Sequence, residues 1–230
     1  MRLAKPAVDI GLATNDLAPM LAFWQGPAGA SFDHLLNIRP GHDQHRHDIL
    51  GSVLKINHQA TPLIETPPSG YHELIIARPG LTAPQTLTDP NGNKLRLVPP
   101  GFAGVTQIAV RLLVRDLSAH CGFYGDALGL PQEARSTGAA FRAGETLLLL
   151  DEHPDAPADA GMAGPGWRYI TFQVFAVDAE HARVLSAGGR EALAPVTLGA
   201  TARISMVRDP DGNWIELSQR ASIVGSIAPK

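Results

Sequence analysis

One nine-residue stretch occurs twice and sets the frame for everything else. Asp209-Pro-Asp-Gly-Asn-Trp-Ile-Glu-Leu217 echoes Asp89-Pro-Asn-Gly-Asn-Lys-Leu-Arg-Leu97. Each reads as a tight turn feeding a strand: Pro fixes φ, Asp or Asn closes an Asx-type turn, and Gly takes the positive-φ position. In the strand, Leu95 and Leu97, or Ile215 and Leu217, share one face. The residue between them faces the other way, and it is Glu216 in one copy and Arg96 in the other.

The repeat extends beyond the turns. Asn15-Asp16-Leu17 with Phe23-Trp24 matches Arg115-Asp116-Leu117 with Phe123-Tyr124 at an offset of 100 residues. Self-similarity of this kind marks a chain made of repeated structural units. The chain thus divides into two halves, expected as domains over 1–99 and 104–220, with a tail over 221–230. Pro99-Pro100-Gly101 reads as the linker. Ala179–Gly188 carries a helical pattern closed by a Gly pair. The first half has no room for its counterpart between Ile76 and Asp89.

Strand, helix and further strands follow one another in each half. The order predicts an α+β fold of four βαβββ modules, one stripped of its helix. Residues Val8–Thr14, Phe32–Ile38, Ser52–Asn57, Tyr71–Ala77 and Leu95–Val98 read as strands in the first half. In the second, strands are expected at Gln107–Val114, Ala139–Arg142, Thr146–Leu150, Tyr169–Phe175, Ala202–Val207 and Trp214–Ser218. Asp151–Gly166, rich in Pro, Ala, Gly and Asp, reads as a mobile loop.

Composition excludes several classes. A formal charge of −3 with scattered signs gives no footprint for nucleic acid or an anionic membrane. No apolar run approaches a membrane span, and no apolar leader opens the chain, so a cytoplasmic protein is expected. The single cysteine, Cys121, rules out an internal disulfide framework and reads as a small core residue. No nucleophile elbow, phosphate loop or dinucleotide fingerprint is present.

The Asp-Leu-(six residues)-Tyr helix entry at Asp116, the Ile170-Thr-Phe-Gln-Val174 strand and the Asp-Pro-Asp-Gly-Asn-x-x-Glu-Leu ending resemble the vicinal oxygen chelate superfamily. That superfamily holds glyoxalase I, extradiol dioxygenases and bleomycin-resistance proteins. The resemblance implies tandem modules curled into half-open, barrel-like sheets. It also implies a divalent metal (Fe, Mn, Zn or Ni) chelated by cis oxygens of a substrate, although the superfamily includes plain binders.

Carried over residue by residue, the resemblance puts Glu216 at a ligand position on the final strand. Ala109 falls at the first-strand position, with Gln107 one pleat earlier, and Tyr169 on the next module strand. In the first half the positions are Asp9, then His72 or Tyr71, then Arg96. Neither half shows a complete ligand set, and Arg96 sets a fixed cation where a metal would sit. The expected metal set is Glu216, Gln107 and His72, or no metal at all.

The expected site lies in the second half. Glu216 acts there as ligand or general base, Arg111 as anchor for a substrate anion, and Tyr169 as a polarising phenol. Gln173, Arg203, Trp167 and Phe141 are expected to bind substrate, with the 151–166 loop as lid. Each has a structural alternative: a solvated strand residue for Glu216 and Arg111, a core phenol for Tyr169, a strand residue bonded to a neighbour for His72. The histidine-rich run Gly41–Asp48, with His42, His45 and His47, reads as a solvated loop, and His58 as a buried or edge structural residue.

Two functions stay open. One is a metal-assisted lyase or extradiol-type dioxygenase acting on a small oxygenated metabolite. The other is metal-free: a sequestering binder, or an acid–base catalyst on the same scaffold. Pairing into a homodimer is the simplest cover for an exposed edge in the shortened half.

Overall fold

The computed structural model describes residues 1–228; the last two residues of the expected 221–230 tail lie outside them. Four modules follow in chain order. The first is β1 (Asp9–Thr14), helix α1 (Leu17–Gln25), β2 (Ser31–Arg39), β3 (His42–Ile49) and β4 (Ser52–Gln59). The second has only strands: β5 (Tyr71–Ala77), β6 (Gln85–Thr88) and β7 (Lys94–Val98). The third is β8 (Ile108–Val114), α2 (Leu117–Cys121) running into a π-helical turn at Gly122–Ala127, β9 (Gln132–Glu133), β10 (Ala139–Ala143) and β11 (Thr146–Glu152). The fourth is β12 (Gly166–Gln173), α3 (Val177–Ser186), β13 (Arg190–Leu198), β14 (Ala202–Arg208) and β15 (Trp214–Arg220), followed by a short α4 (Ala221–Val224). The shortened second module is the one expected from the sequence.

The modules pair across the halves. One sheet runs β13-β14-β15-β12-β1-β4-β3-β2 and the other β6-β7-β5-β8-β11-β10-β9. Modules one and four join through antiparallel β1 and β12, and modules two and three through antiparallel β5 and β8. Each curled sheet therefore takes one module from each half of the sequence, and residue 100 separates no two sheets. The two sheets are held together across the core. Trp24 Nε1 donates to Asp89 Oδ2 at 3.3 Å, and its counterpart Tyr124 donates its hydroxyl to Asp209 Oδ2 at 3.2 Å. The two Asp-Pro turns are thus anchored by the aromatic residue of the helix in the same half.

The main core lies between the helix-covered faces of the two sheets. Ile10, Leu12, Leu54, Ile170 and Phe172 come from one sheet, and Leu74, Leu95, Val110 and Leu148 from the other, all essentially without solvent contact. Alternation leaves the opposite, concave faces to be filled differently. On the seven-stranded sheet that face is a second apolar cluster of Ile75, Ala77, Val98, Val105, Ala109, Ala140, Leu147 and Leu149. On the eight-stranded sheet it carries charged and polar side chains, Gln44, Arg46, Lys55, Asn57 and Glu216, flanked by apolar ones.

Two local expectations are corrected. The histidine run is no loop: His42–Ile49 is a full strand, hydrogen-bonded to β2 and β4. Its period-two alternation sends His42 to the concave face and turns His45 and His47 away from it, so these imidazoles do not converge. Strand β13 was not foreseen; its largely exposed residues blur the alternation that marks a half-buried strand. No helix among the described residues is long and apolar enough to cross a membrane.

Candidate functional site

Three strands reach the concave faces through the same local device. Gly51, Gly92 and Gly212 each hold a φ of +82° to +86°, which only glycine adopts without strain. Four residues after each comes a charged side chain between two apolar ones: Lys55 between Leu54 and Ile56, Arg96 between Leu95 and Leu97, Glu216 between Ile215 and Leu217. The apolar pair enters the core and the charge points to the concave face.

In the eight-stranded sheet two of these charges meet. Lys55 Nζ lies 3.3 Å from Glu216 Oε2 and donates to Thr171 Oγ1 at 2.6 Å. Three strand spacings separate β4 from β15, about 14 Å along a flat sheet. Their contact records how strongly the sheet curls. Gln44 on β3 spans the same number of steps to reach the Tyr169 hydroxyl at 3.3 Å. The cleft so formed has a volume of about 530 Å³.

Lys55 is 3% exposed and sits above the Tyr169 ring, with Nζ 5.1 Å from its centroid. Burial lowers its ammonium below the usual lysine range, while the charges of Glu216 and Asp9 work to raise it. Tyr169 accepts from both Gln44 Nε2 and Asn57 Nδ2, each at 3.3 Å. With two amides donating to the phenolic oxygen, its own proton is left to donate to a ligand. Burial, then the Glu216 charge, raises this phenol well above its ordinary value, so it stays protonated. The ring lies directly over Gly11, where a Cβ would fall 2.2 Å from its Cε1. Beneath, Asp9 is fully buried; it accepts from Lys5 Nζ at 2.6 Å, Val53 N at 2.9 Å and Gln173 Nε2 at 3.1 Å.

The cleft is cationic although the chain is not. Arg39, Arg46, Lys55, Arg168 and Arg220 line it, against the single carboxylate of Glu216. Leu36, Ile38, Met162, Leu198, Ile204 and Met206 supply apolar walls. The loop between β11 and β12 contributes Met162 and Ala163, and Arg168 pins it. That guanidinium donates to Thr66 Oγ1 at 3.1 Å, Pro67 O at 3.0 Å and Gly161 O at 3.1 Å. Burial against these neutral acceptors lowers its pKa to about 10.

Of the residues expected at the site, Glu216 and Tyr169 meet in this cleft, and Gln173 supports it through Asp9. The others lie elsewhere. Arg111 is on the seven-stranded sheet, 3.2 Å from Glu73 and 3.3 Å from Asp151. Ala109 belongs to the apolar cluster of that sheet, and Gln107 lies just before β8. His72 faces Lys94 Nζ at 3.1 Å on the same sheet. Trp167 packs edge-on against Trp24, and Phe141 lies tilted against Tyr124, both in the main core. Arg203 turns to the helix side, where it pairs with Asp178 at 2.6 Å. Lys55, Arg46 and Arg220 were missed. The spacing of four from Gly51 was the available signal for Lys55, but no Asp-Pro turn precedes it to mark the repeat.

A divalent ion needs several anionic or imidazole donors around one point. Among the described residues no three His, Cys, Asp or Glu side chains converge in this way. At Glu216 the nearest charged partner is an ammonium, which occupies the cation's electrostatic role and would repel a metal. The donor set of this cleft does not fit the metal that the resemblance implies.

Comparison with known proteins agrees with the architecture. The Glyoxalase/Bleomycin resistance protein/Dioxygenase superfamily matches residues 105–217. Glyoxalase I from Zea mays superposes with a TM-score of 0.72 at 15% identity, over 95% of this chain and 92% of that one. A mutant of the same maize enzyme reaches 0.76 at 15% identity, over 98% and 96%. A candidate dioxygenase from Bacillus subtilis gives 0.71 at 11% identity, over 100% and 92%. No curated protein matches the sequence. At these identities the structures speak for the fold, and the sequence match speaks for the family. The second half of the chain, residues 105–217, belongs to the glyoxalase, bleomycin resistance protein and dioxygenase superfamily, also called the vicinal oxygen chelate superfamily.

Proposed function

We propose that this chain is a metal-free acid–base enzyme of its superfamily, acting on a small anionic oxygenated metabolite in the cleft of the eight-stranded sheet. The observation that carries the reading is the Lys55–Glu216 pair at 3.3 Å on the floor of a cationic cleft. Burying an ammonium and a carboxylate costs several kcal/mol per ion before their attraction is counted, so the pair is poor stabilising material. Groups of this kind concentrate where chemistry is done.

The roles follow from charge. Glu216 takes a proton from the carbon next to a substrate carbonyl. The electron pair moves onto the carbonyl oxygen, where the Lys55 ammonium and the Tyr169 hydroxyl stabilise the developing negative charge. The proton then returns to a neighbouring carbon, or a leaving group departs from it. Fixed donors on the floor of the cleft supply what a Lewis acid would otherwise provide.

The test is proton exchange. Incubated in D₂O with a panel of 2-oxo and 3-oxo carboxylic acids, the protein should wash deuterium into the carbon beside the carbonyl, read by proton NMR. Glu216→Gln should lower that rate by about 10²–10⁴-fold. Exchange at the full rate in the variant would remove Glu216 as the base. The apolar walls support a second reading, a sequestering binder; saturable binding of a panel member without any exchange favours it.

A further inference from the structure

We infer that Arg46 and Arg220 form an oxyanion seat in this cleft, built to hold a carboxylate or phosphate group of the substrate beside Lys55 and Glu216. The inference rests on the cleft being the substrate site and names the group that the substrate must carry.

Arg46 is the strongest indication. It is 4% exposed, yet the bond it makes is to a neutral group, Nη1 to Gln44 Oε1 at 2.8 Å. Its Nε is buried with no partner, and the residue lines the cleft. Arginine is almost never so buried unless paired, and an unpaired buried donor carries a full desolvation cost. Among the described residues, no carboxylate forms an ion pair with it.

The local charges explain why. Two acids lie under this part of the cleft, Asp9 and Glu216, and each already has a lysine: Lys5 at 2.6 Å and Lys55 at 3.3 Å. Arg46 and Arg220 are left over. Arg220 ends β15 and lines the same cleft. Burial, and then the charge of Arg46, hold it below the ordinary arginine value. Two like charges lining one cleft destabilise the fold unless a ligand supplies the counter-charge. A guanidinium fork matches the paired oxygens of a carboxylate or phosphate. Arg111, the anchor expected from the sequence, is already committed to Glu73 and Asp151.

The experiment is calorimetric titration of the full chain at low ionic strength with oxalate and with inorganic phosphate, and oxamide as the uncharged match. One anion should bind at a single site, and oxamide should not. Arg46→Met and Arg220→Met should each weaken binding by about tenfold or more, with Arg46→Lys between them and the native protein. Arg142→Met, on the other sheet, should leave it unchanged. Preference for oxalate assigns a carboxylate, and preference for phosphate a phosphoryl group. Circular dichroism and melting confirm that each variant is folded; should Arg46→Met not fold, Arg46→Lys and Arg220→Met carry the test. No binding of either anion, equal binding of oxamide, or unchanged binding in the folded arginine variants overturns the seat. Glu216→Gln should still bind the anion while losing exchange, so failure of the seat and failure of the acid–base reading give different results.

Discussion

The two concave faces share one backbone plan and were filled in opposite ways. In the seven-stranded sheet, Arg96 sits 3.0 Å from Glu73, Arg111 bridges Glu73 and Asp151, and Arg135 closes on Asp151 at 2.8 Å. Apolar side chains pack the rest of that face, and the cavity beside it is about 370 Å³. In the eight-stranded sheet, Glu216 stands where the other sheet has Arg96 and pairs with Lys55 above an open cleft, and among the described residues none of the cleft arginines, Arg39, Arg46, Arg168 and Arg220, has a carboxylate partner. Ion pairs that neutralise one another make a structural face. Charges left unbalanced around a cavity make a face that still needs a ligand. The position on the strand does not tell the two apart; the partner across the sheet does.

The sharpest way to break this contrast is to neutralise one carboxylate in each cleft. Glu216→Gln should cut turnover by about 10²–10⁴-fold with little change in melting. Glu73→Gln should leave turnover intact while stranding Arg96 and leaving Arg111 only Asp151. Both arginines are partly solvated, so the cost should be about 2–3 kcal/mol, the low end for a broken buried pair. In a chain of this size that lowers the melting temperature by roughly 4–12 °C. If the two variants behaved alike, the distinction between the clefts would collapse.

A smaller effect sharpens the site itself. Gly11→Ala places a methyl group against the Tyr169 ring, where no space exists. Overpacking should cost about 1–3 kcal/mol and displace the phenol, so ligand affinity falls together with stability. Gly161→Ala meets only the side chain of Thr66, at 2.9 Å, and should leave affinity nearly unchanged.

The smallest effect separates the two Asp-Pro turns. Beside Asp209 lies His120, with Nε2 3.6 Å from both Asp209 and Asp211, whereas the equivalent position in the first half is Met20. Burial works to lower the His120 pKa, but the Asp209 and Asp211 carboxylates hold it above its ordinary value. A raised folded-state value stabilises the fold fully below the unfolded value of about 6.5, and the gain is lost as pH rises through the folded value. The melting difference between native protein and His120→Gln should therefore be larger at acidic pH than at pH 8. A gap that grew with pH would show the imidazole to be held neutral.

Much of this was legible in the chain. The duplicated Asp-Pro turns, the alternation after them and the helix entries at Asp16 and Asp116 are local signals, carried by a few adjacent residues. They located the four modules and the missing helix. Glu216 stood out because it belongs to the repeated Asp-Pro motif, and Tyr169 because the resemblance marks its strand. Lys55 escaped because its turn is Leu50-Gly51, a tight hairpin without the Asp-Pro mark. His42–Ile49 escaped because polar residues fill both faces, one toward the cleft and one toward solvent or α1.

Alternation along a strand tells which side chains share a face, and the sequence by itself determined that for most of the strands. It could not tell which module edge would meet which. Pairing β1 with β12 or with β8 satisfies the same local pattern, since equivalent strands carry equivalent edges. Only the tertiary structure chose β12 for β1 and β5 for β8, and so brought Asp9, Arg46 and Lys55 against Tyr169, Glu216 and Arg220. Arg111, expected in one site with Tyr169, was carried to the other sheet by the same choice. Edge selection is a long-range packing decision, made by the core that the two sheets bury together, and the site exists where that decision closes the cleft.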